Sequence, residues 1–106
     1  SEYVKKEVEK VTNQYRFVEV DTVQVKGKTE GKKIYVPIDI YEVEKDILEK
    51  YDVFEQGLYA YYEGDWKNAR QMFKKCELSI ADVFLKRISV KQAPEGWNGI
   101  WTMTTK

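Results

Sequence analysis

Four lysines lie close together in the first half of the chain and are the residues best suited to bind an anion. They are Lys26, Lys28, Lys32 and Lys33. Gly27 and Gly31 lie among them, and glycine permits the positive φ angles that a tight turn requires. Each lysine carries a compact positive charge on a flexible stem, so a group of them attracts phosphate. This spacing predicts a cationic turn that could contact a phosphorylated ligand.

Two stretches with alternating apolar residues flank the turn and must position it. The apolar positions are Val18, Val20, Val23 and Val25 before the turn and Ile34, Val36, Ile38 and Ile40 after it. Alternation with a period of two is typical of half-buried strands, so the segment is predicted to be a β-hairpin. Pro37 has no backbone N–H, which predicts a free or bulged strand edge at that point.

From Glu44 onward the apolar spacing becomes helical. The inward positions are Ile47, Tyr51, Phe54, Leu58 and Tyr61 in a first helix and Trp66, Ala69, Phe73 and Cys76 in a second. Gly64 should end the first helix and Asp65 should cap the second, which predicts an antiparallel helical hairpin. Ser79 and Asp82 have the spacing of a capping box and predict a third helix, which Pro94 stops.

The predicted fold class is α+β. A short helix over residues 2–12 precedes the β-hairpin, and a turn at Pro94 to Gly96 leads into a C-terminal tail or short strand packed on the helices. The expected segments are 1–43 and 44–106, with the tryptophan-rich tail in the second segment and the two packed as one unit. The proposed structural core residues are Trp66, Phe73, Trp97 and Trp101.

The composition restricts the classes of function. The chain has 106 residues, 42% of them hydrophobic, and its eighteen basic and eighteen acidic side chains cancel, so no overall field attracts nucleic acid or anionic lipid. The single cysteine, Cys76, excludes an internal disulfide, and the absence of histidine removes the commonest general base and metal ligand. No apolar stretch near ~18 residues and no signal-peptide pattern is present, which favours a cytoplasmic location without membrane contact by this segment.

Other interpretations of these motifs are weaker. Gly27-Lys28-Thr29 matches the end of a Walker motif, but the glycine required five residues earlier is replaced by Thr22. The helical hairpin has the small and aromatic spacing of a tetratricopeptide repeat, yet one unit is too few for a solenoid. A cluster of tyrosines, comprising Tyr59, Tyr61 and Tyr62, is a candidate partner surface.

The hairpin sequence resembles the end of the catalytic domain of class III nucleotide cyclases, which make cyclic AMP or cyclic GMP. The resemblance is carried by Val25-Lys26-Gly27-Lys28, the polar residues after it, and Ile-Tyr-Glu-Val at residues 40–43. Phe17 to Asp21 resembles the lead-in strand and Ser1 to Val11 the preceding helix, so the match covers about two fifths of the chain.

The second half is similar to the helical extension that follows the cyclase domain in many bacterial members. The matching positions are Gly57, Gly64-Asp65-Trp66, Ala69, Phe73, and the tail pattern Pro94-x-Gly96-Trp97-x-Gly99-x-Trp101. The two matches adjoin in the order found in that family. This chain therefore resembles the C-terminal part of such an enzyme.

The resemblance implies that Lys26 is a phosphate-binding residue, and it matches no catalytic residue of the family to this chain. In the family this lysine contacts the terminal phosphates of the nucleotide, and Lys28 is a second candidate for that contact. The metal-binding aspartates, base-reading residues and transition-state residues precede this segment, so Asp21, Asp39 and Asp46 are not assigned as metal ligands. The chain alone is expected to bind no cofactor and to be inactive. The parent enzyme would use ATP or GTP with magnesium or manganese, with membrane or sensor domains possible upstream.

Dimerisation and two other functions remain open. The parent is expected to be a homodimer with an upstream cyclase domain in each chain, and the isolated hairpin is expected to self-associate through its open edges. One alternative is a small protein-interaction or dimerisation module built on the helical hairpin. The other is a regulatory remnant that binds nucleotide without chemistry.

Overall fold

The protein is an α+β chain, as the change to helical spacing from Glu44 onward predicts. A computed structural model describes residues 2, 4, 5, 13–24, 30–89 and 92–102. The elements are β1 (Tyr15–Gln24), β2 (Gly31–Asp39), α1 (Lys45–Glu63), α2 (Trp66–Cys76) and α3 (Ile80–Arg87). The predicted helix over residues 2–12 falls mostly outside the described residues, of which Glu2, Val4 and Lys5 have helical backbone. None of the described helices is long and apolar enough to cross a membrane.

The chain divides into two compact units between Val43 and Glu44. The hairpin unit comprises residues 1–43 and 100–106, and the helical unit comprises residues 44–99. The sequence prediction assigned 100–106 to the helical segment, whereas the described part of this stretch contacts the hairpin. Trp101 forms an isolated parallel bridge with Val23, and a Cβ added at Gly31 would lie 2.7 Å from Cδ1 of Ile100. Only glycine leaves room for that close approach.

The hairpin is an antiparallel ladder with one bulge. Its register runs from Tyr15 opposite Asp39 to Gln24 opposite Gly31. It shifts between Glu19 and Asp21, so β1 carries one residue more than β2 at that point. Of the two alternatives predicted at Pro37, a free edge or a bulge, the bulge is not found there, because Pro37 is paired regularly with Phe17. Within the described residues β2 pairs with β1 alone, so its outer edge is free and tolerates the missing N–H of Pro37.

The junction of α1 and α2 is fixed by two caps that the sequence predicts. Gly64 ends α1 with a φ of 88°, and its N–H donates to the Tyr61 carbonyl while the Asp65 N–H donates to the Ala60 carbonyl. This pair of bonds is the Schellman motif, which satisfies carbonyls at the helix end. The Asp65 side chain then accepts a 3.2 Å hydrogen bond from the Asn68 N–H and begins α2. The turn between the two helices is therefore short.

Small residues allow α1 and α2 to approach closely around an aromatic core. A Cβ added at Gly57 would lie 2.9 Å from the Phe73 ring, and Ala69 is fully buried. The rings of Phe54, Phe73 and Phe84 contact one another with centroid separations of 5.0 to 5.7 Å. Aromatic pairs at these separations contribute beyond the area that they bury. The core therefore joins all three helices.

The predicted capping box of α3 does not form. Ser79 precedes the helix with φ −63° and ψ −28°, which is already helical, and its side chain makes no capping bond. A side-chain cap requires an extended backbone at that position, so the Ser79 hydroxyl is not directed at the free N–H groups. The helix begins with backbone bonds from Ala81 to the Leu78 carbonyl and from Asp82 to the Ser79 carbonyl.

The proline-glycine turn before the tail forms as predicted. The Trp97 N–H donates to the Pro94 carbonyl at 3.1 Å, and Gly96 has a φ of 79°. The Trp97 indole N–H then donates to the Tyr61 carbonyl at 2.9 Å, and the ring packs edge-on against Trp66. Trp66 and Phe73 are buried, whereas Trp97 and Trp101 are partly exposed. The two core positions within the tail are therefore mostly covered but not fully buried.

Replacing Phe73 with alanine tests whether this ring supports the helical unit. Phe73 is 1% exposed and touches two other rings, so Phe73→Ala should lower the free energy of unfolding by about 3 to 5 kcal/mol. Urea unfolding followed by tryptophan fluorescence measures the change. Val83→Ala is the control, because Val83 is 51% exposed and its loss should cost no more than about 0.5 kcal/mol. Equal effects of the two changes would contradict the proposed core.

Candidate functional site

The predicted phosphate-binding residues, Lys26 and Lys28, lie in residues 25–29, outside the described residues. The residues that flank this stretch are described, and Gln24 is paired with Gly31 at the end of the ladder. The segment that contains both lysines therefore joins two antiparallel strands, as the sequence predicts. It does not join a strand to a helix, which a Walker loop would require.

Lys33, at this end of the hairpin, already pairs with an acidic side chain. Its ammonium group lies 3.7 Å from Oε1 of Glu19 on the adjacent strand. Glu19 is 6% exposed, and its other oxygen, Oε2, is buried without a hydrogen-bond partner in the described structure. A buried carboxylate oxygen of this kind is costly unless a donor reaches it. Lys33 therefore offsets a buried acid, and Lys32 is the exposed cation that remains among the described lysines of this turn.

Two aspartates of the hairpin unit, Asp21 and Asp39, accept hydrogen bonds from nearby groups. Both carboxylate oxygens of Asp39 are used, because Oδ2 accepts from the Gln14 amide at 2.9 Å and Oδ1 accepts from the Tyr41 N–H at 3.0 Å. Oδ1 of Asp21 accepts from the N–H of Thr22 at 2.8 Å. No group of three or more potential metal ligands occurs within the part of the chain that the structure describes. Asp21 therefore has a local role beside the bulge of β1, and Asp39 has one at the end of β2.

The tyrosine cluster is divided between the core and the surface. Tyr61 is fully buried, so the sequence hypothesis that it belongs to a contact surface is wrong. Tyr59 is 49% exposed, and its ring lies 6.4 Å from that of Tyr62. Helical periodicity explains this difference in burial. Tyr61 lies on the same buried face of α1 as Phe54 and Leu58, whereas Tyr59 lies outside that face. The candidate surface is therefore Tyr59 with Tyr62.

Tyr61 instead organises the end of α1. Its ring stacks on Trp66 with an interplanar angle of 13° and meets Trp97 and Phe84 edge-on. Its hydroxyl accepts a 3.3 Å hydrogen bond from Arg87. A tyrosine can be fully buried when its hydroxyl has such a partner. The ring therefore joins α1 to α2, to α3 and to the Trp97 turn.

Cys76 is a buried structural residue with the chemistry of an inert thiol. It is 1% exposed and its S–H donates to the Phe73 carbonyl at 3.2 Å. Burial raises the pKa of the Cys76 thiol, and nearby Asp82 and Glu77 act in the same direction. The thiolate is the reactive form, so these surroundings lower its nucleophilicity at neutral pH. Cys76 is therefore a poor candidate for covalent catalysis.

A basic groove on the helical unit was missed by the sequence analysis. It is lined by Lys67, Arg70, Lys74, Ser89 and Gln92 and has a volume of about 670 Å³. The signal that could have found it is the spacing of three cations at i, i+3 and i+7, which places them on one face of α2. That helix contains no acidic residue.

The chain was compared with models of known protein families, with curated proteins and with solved structures, and none of them matches it.

The reactivity of Cys76 follows from its burial. At neutral pH the native chain should react with a thiol reagent at least about tenfold more slowly than N-acetylcysteine. The exposed reference thiol has an unshifted pKa of about 8.5, whereas Cys76 is buried and forms less thiolate. Labelling followed by mass spectrometry gives the rate, and addition of denaturant should restore it. Rapid labelling of the native chain would contradict the buried position.

The same burial gives a pH dependence of stability. The pKa of the thiol is raised in the folded state, so below the unfolded pKa of about 8.5 the full stability is present, and it falls as pH rises above that value. Urea unfolding between neutral and alkaline pH measures this loss. Cys76→Ala should show a smaller alkaline loss than the natural chain, whatever its stability at neutral pH.

Proposed function

We propose that this chain is the C-terminal part of a class III nucleotide cyclase and that its β-hairpin supplies Lys26 to the nucleotide phosphates. The observation that carries the proposal is the hairpin itself. The segment with Val25-Lys26-Gly27-Lys28 connects Gln24 to Gly31 across an antiparallel ladder, as the resemblance requires. A helical hairpin with Gly57 at its crossing follows directly, which is also the order that the resemblance implies.

Two features of the hairpin unit support a place in a larger sheet. The outer edge of β2 has no partner strand among the described residues, and apart from Pro37, which has no N–H, it offers backbone groups to another strand. Glu19 also keeps a buried oxygen without a donor. Both features are costly in an isolated hairpin and become useful where further strands and side chains pack against it.

The role of Lys26 in this proposal is electrostatic. Cyclisation joins the ribose 3′ oxygen to the α-phosphorus and breaks the bond to the β-phosphate, so negative charge develops on the departing pyrophosphate. A lysine near the terminal phosphates stabilises that charge more in the transition state than in the bound nucleotide. Lys26 acts by position and charge, without transferring a proton.

The proposal assigns to this chain no ligand for the metal ions that the family uses. Asp21 and Asp39 accept local backbone or side-chain hydrogen bonds, and no ligand cluster occurs among the described positions. Magnesium or manganese, when bound, would shield the triphosphate and polarise the reacting phosphate. Under the proposal the ligands for it belong to the upstream domain, together with the residues that select ATP or GTP. Two such domains would form the homodimer.

The coding sequence before Ser1 gives the first test of this proposal. It should contain the pattern Phe-x-Asp-Ile-x-Gly-Phe, because the first metal-binding aspartate of the family lies in it. The purified chain of 106 residues should form no cyclic AMP or cyclic GMP with manganese and either nucleotide. Product from the pure chain, or an upstream sequence without the pattern, would contradict the proposal.

Substitution of Lys26 in the parent enzyme tests its proposed role in catalysis. Lys26→Ala should lower kcat by about tenfold or more, which corresponds to a loss of about 1.4 kcal/mol or more of transition-state stabilisation. Lys28→Ala is the matched control within the same turn and should cost much less. A radiometric cyclase assay at saturating nucleotide and metal measures both. Equal rates for Lys26→Ala and the natural enzyme would remove the assigned role.

An interaction module remains the second candidate because of one surface feature. Tyr59 is half exposed beside Tyr62 on α1, and tyrosine is enriched at protein interfaces. Tyr59→Ser should keep the melting temperature within a few degrees of that of the natural chain. It should weaken the binding of any partner protein that docks on this surface. The cyclase proposal needs no such partner, so the two candidates are separable.

A further inference from the structure

The basic groove of the helical unit is an independent feature that the cyclase proposal does not use. Lys67, Arg70 and Lys74 form one wall on α2, and Ser89 and Gln92 line the other side beyond α3. Every one of these side chains carries a hydrogen-bond donor. No acidic residue is found among the described residues that line the groove. The groove therefore has the composition of an anion receptor, although Lys74 at its end also lines a neighbouring pocket with Glu77 and Asp82.

The three cations differ in how they are held. Arg70 donates a 3.0 Å hydrogen bond to the carbonyl of Ile88, the residue that ends α3, so its guanidinium group is fixed between the helices. Lys67 and Lys74 are exposed, and neither forms an ion pair or hydrogen bond within the described part of the chain. One fixed positive charge and two adaptable charges can follow the shape of a bound anion.

The length of this wall selects the kind of anion. Lys67 and Lys74 are seven positions apart, which is about 10 Å along a helix. A single phosphate group would contact all three cations only if both lysine side chains bent inward toward Arg70, which costs side-chain entropy, whereas separate carboxylates can meet each cation where it lies. Carboxylates on one face of an extended peptide recur about every 7 Å, and those at i, i+3 and i+7 of a helix span about 10 Å. A stretch of acidic residues therefore matches the three cations.

Nucleic acid fits the groove less well than an acidic peptide does. No aromatic side chain lines the described groove for bases to stack on. Residues 44–99 contain nine basic and ten acidic residues, so the unit as a whole gives no long-range attraction to a polyanion with one charge at every nucleotide. A peptide with a few carboxylates needs only the local charge of the groove.

We propose that the groove of Lys67, Arg70 and Lys74 binds an acidic segment of a partner protein that presents about three carboxylates along one face. Binding is electrostatic, so it weakens as the salt concentration rises. It gives the helical unit a docking surface that does not depend on the lysines of the hairpin. A cyclase parent would use this surface for recruitment or regulation, and a free module would use it as its main contact.

A pair of charge-reversal variants tests the proposal on the full chain. The groove variant is Lys67→Glu with Lys74→Glu, and the control variant is Lys75→Glu with Lys86→Glu. Both change the net charge equally, and Lys75 and Lys86 are exposed outside the groove. The probe is a fluorescent glutamate-rich peptide, followed by anisotropy at low salt. The groove variant should raise the Kd at least about tenfold and the control variant by less than about threefold.

Five further measurements decide the outcome. The glutamine version of the peptide should not bind, and the melting temperature of each variant should show that it is folded. If both variants weaken peptide binding equally, or if neither weakens it, the proposal that the groove binds the peptide is wrong. Tighter binding of single-stranded oligothymidylate than of the peptide would replace the proposed partner by nucleic acid. Sedimentation showing dimers of the natural chain that the groove variant abolishes would replace it by a second copy.

Discussion

The helical unit depends on one backbone carbonyl, that of Tyr61. It accepts hydrogen bonds from the Gly64 N–H at 3.1 Å, from the Trp66 indole at 3.3 Å and from the Trp97 indole at 2.9 Å. A carbonyl near a helix end lacks its intrahelical partner, and a buried one must be satisfied by other donors. Here these donors come from the turn, from α2 and from the tail. One backbone acceptor near the end of α1 thereby connects three segments.

The side chain of Tyr61 strengthens the same junction. Its ring lies against Trp66, Trp97 and Phe84, and its hydroxyl holds Arg87 near the end of α3. Polar and apolar contacts at one residue are coupled, since loss of the ring would also expose the bonded carbonyl to water. The small residues Gly57 and Ala69 matter for the same reason. They set the close approach of α1 and α2 that encloses the aromatic residues.

The sequence predicted elements whose signals are local. The hairpin, the end of α1 at Gly64 and the cap at Asp65 were predicted because alternation, left-handed glycine and N-cap chemistry act within a few residues. Ser79 was a wrong prediction, because its residue type allows a cap but its helical backbone prevents one. The bulge in β1 could not be predicted, since it depends on pairing between strands.

The sequence also does not show which charged residues of the candidate sites are available to a ligand, because this depends on contacts between distant segments. Lys33 and Lys67 are both exposed lysines in lysine-rich segments, and composition alone does not separate them. Strand pairing brings Lys33 to 3.7 Å from buried Glu19, whereas helix periodicity places Lys67 beside Arg70 and Lys74 on a helix without acids. A carboxylate that faces a lysine lowers the attraction of that lysine for an external anion, because it already offsets part of the positive charge. Which lysines can bind an anion is therefore decided by the acids that the fold places beside them, in a chain whose total charge is zero.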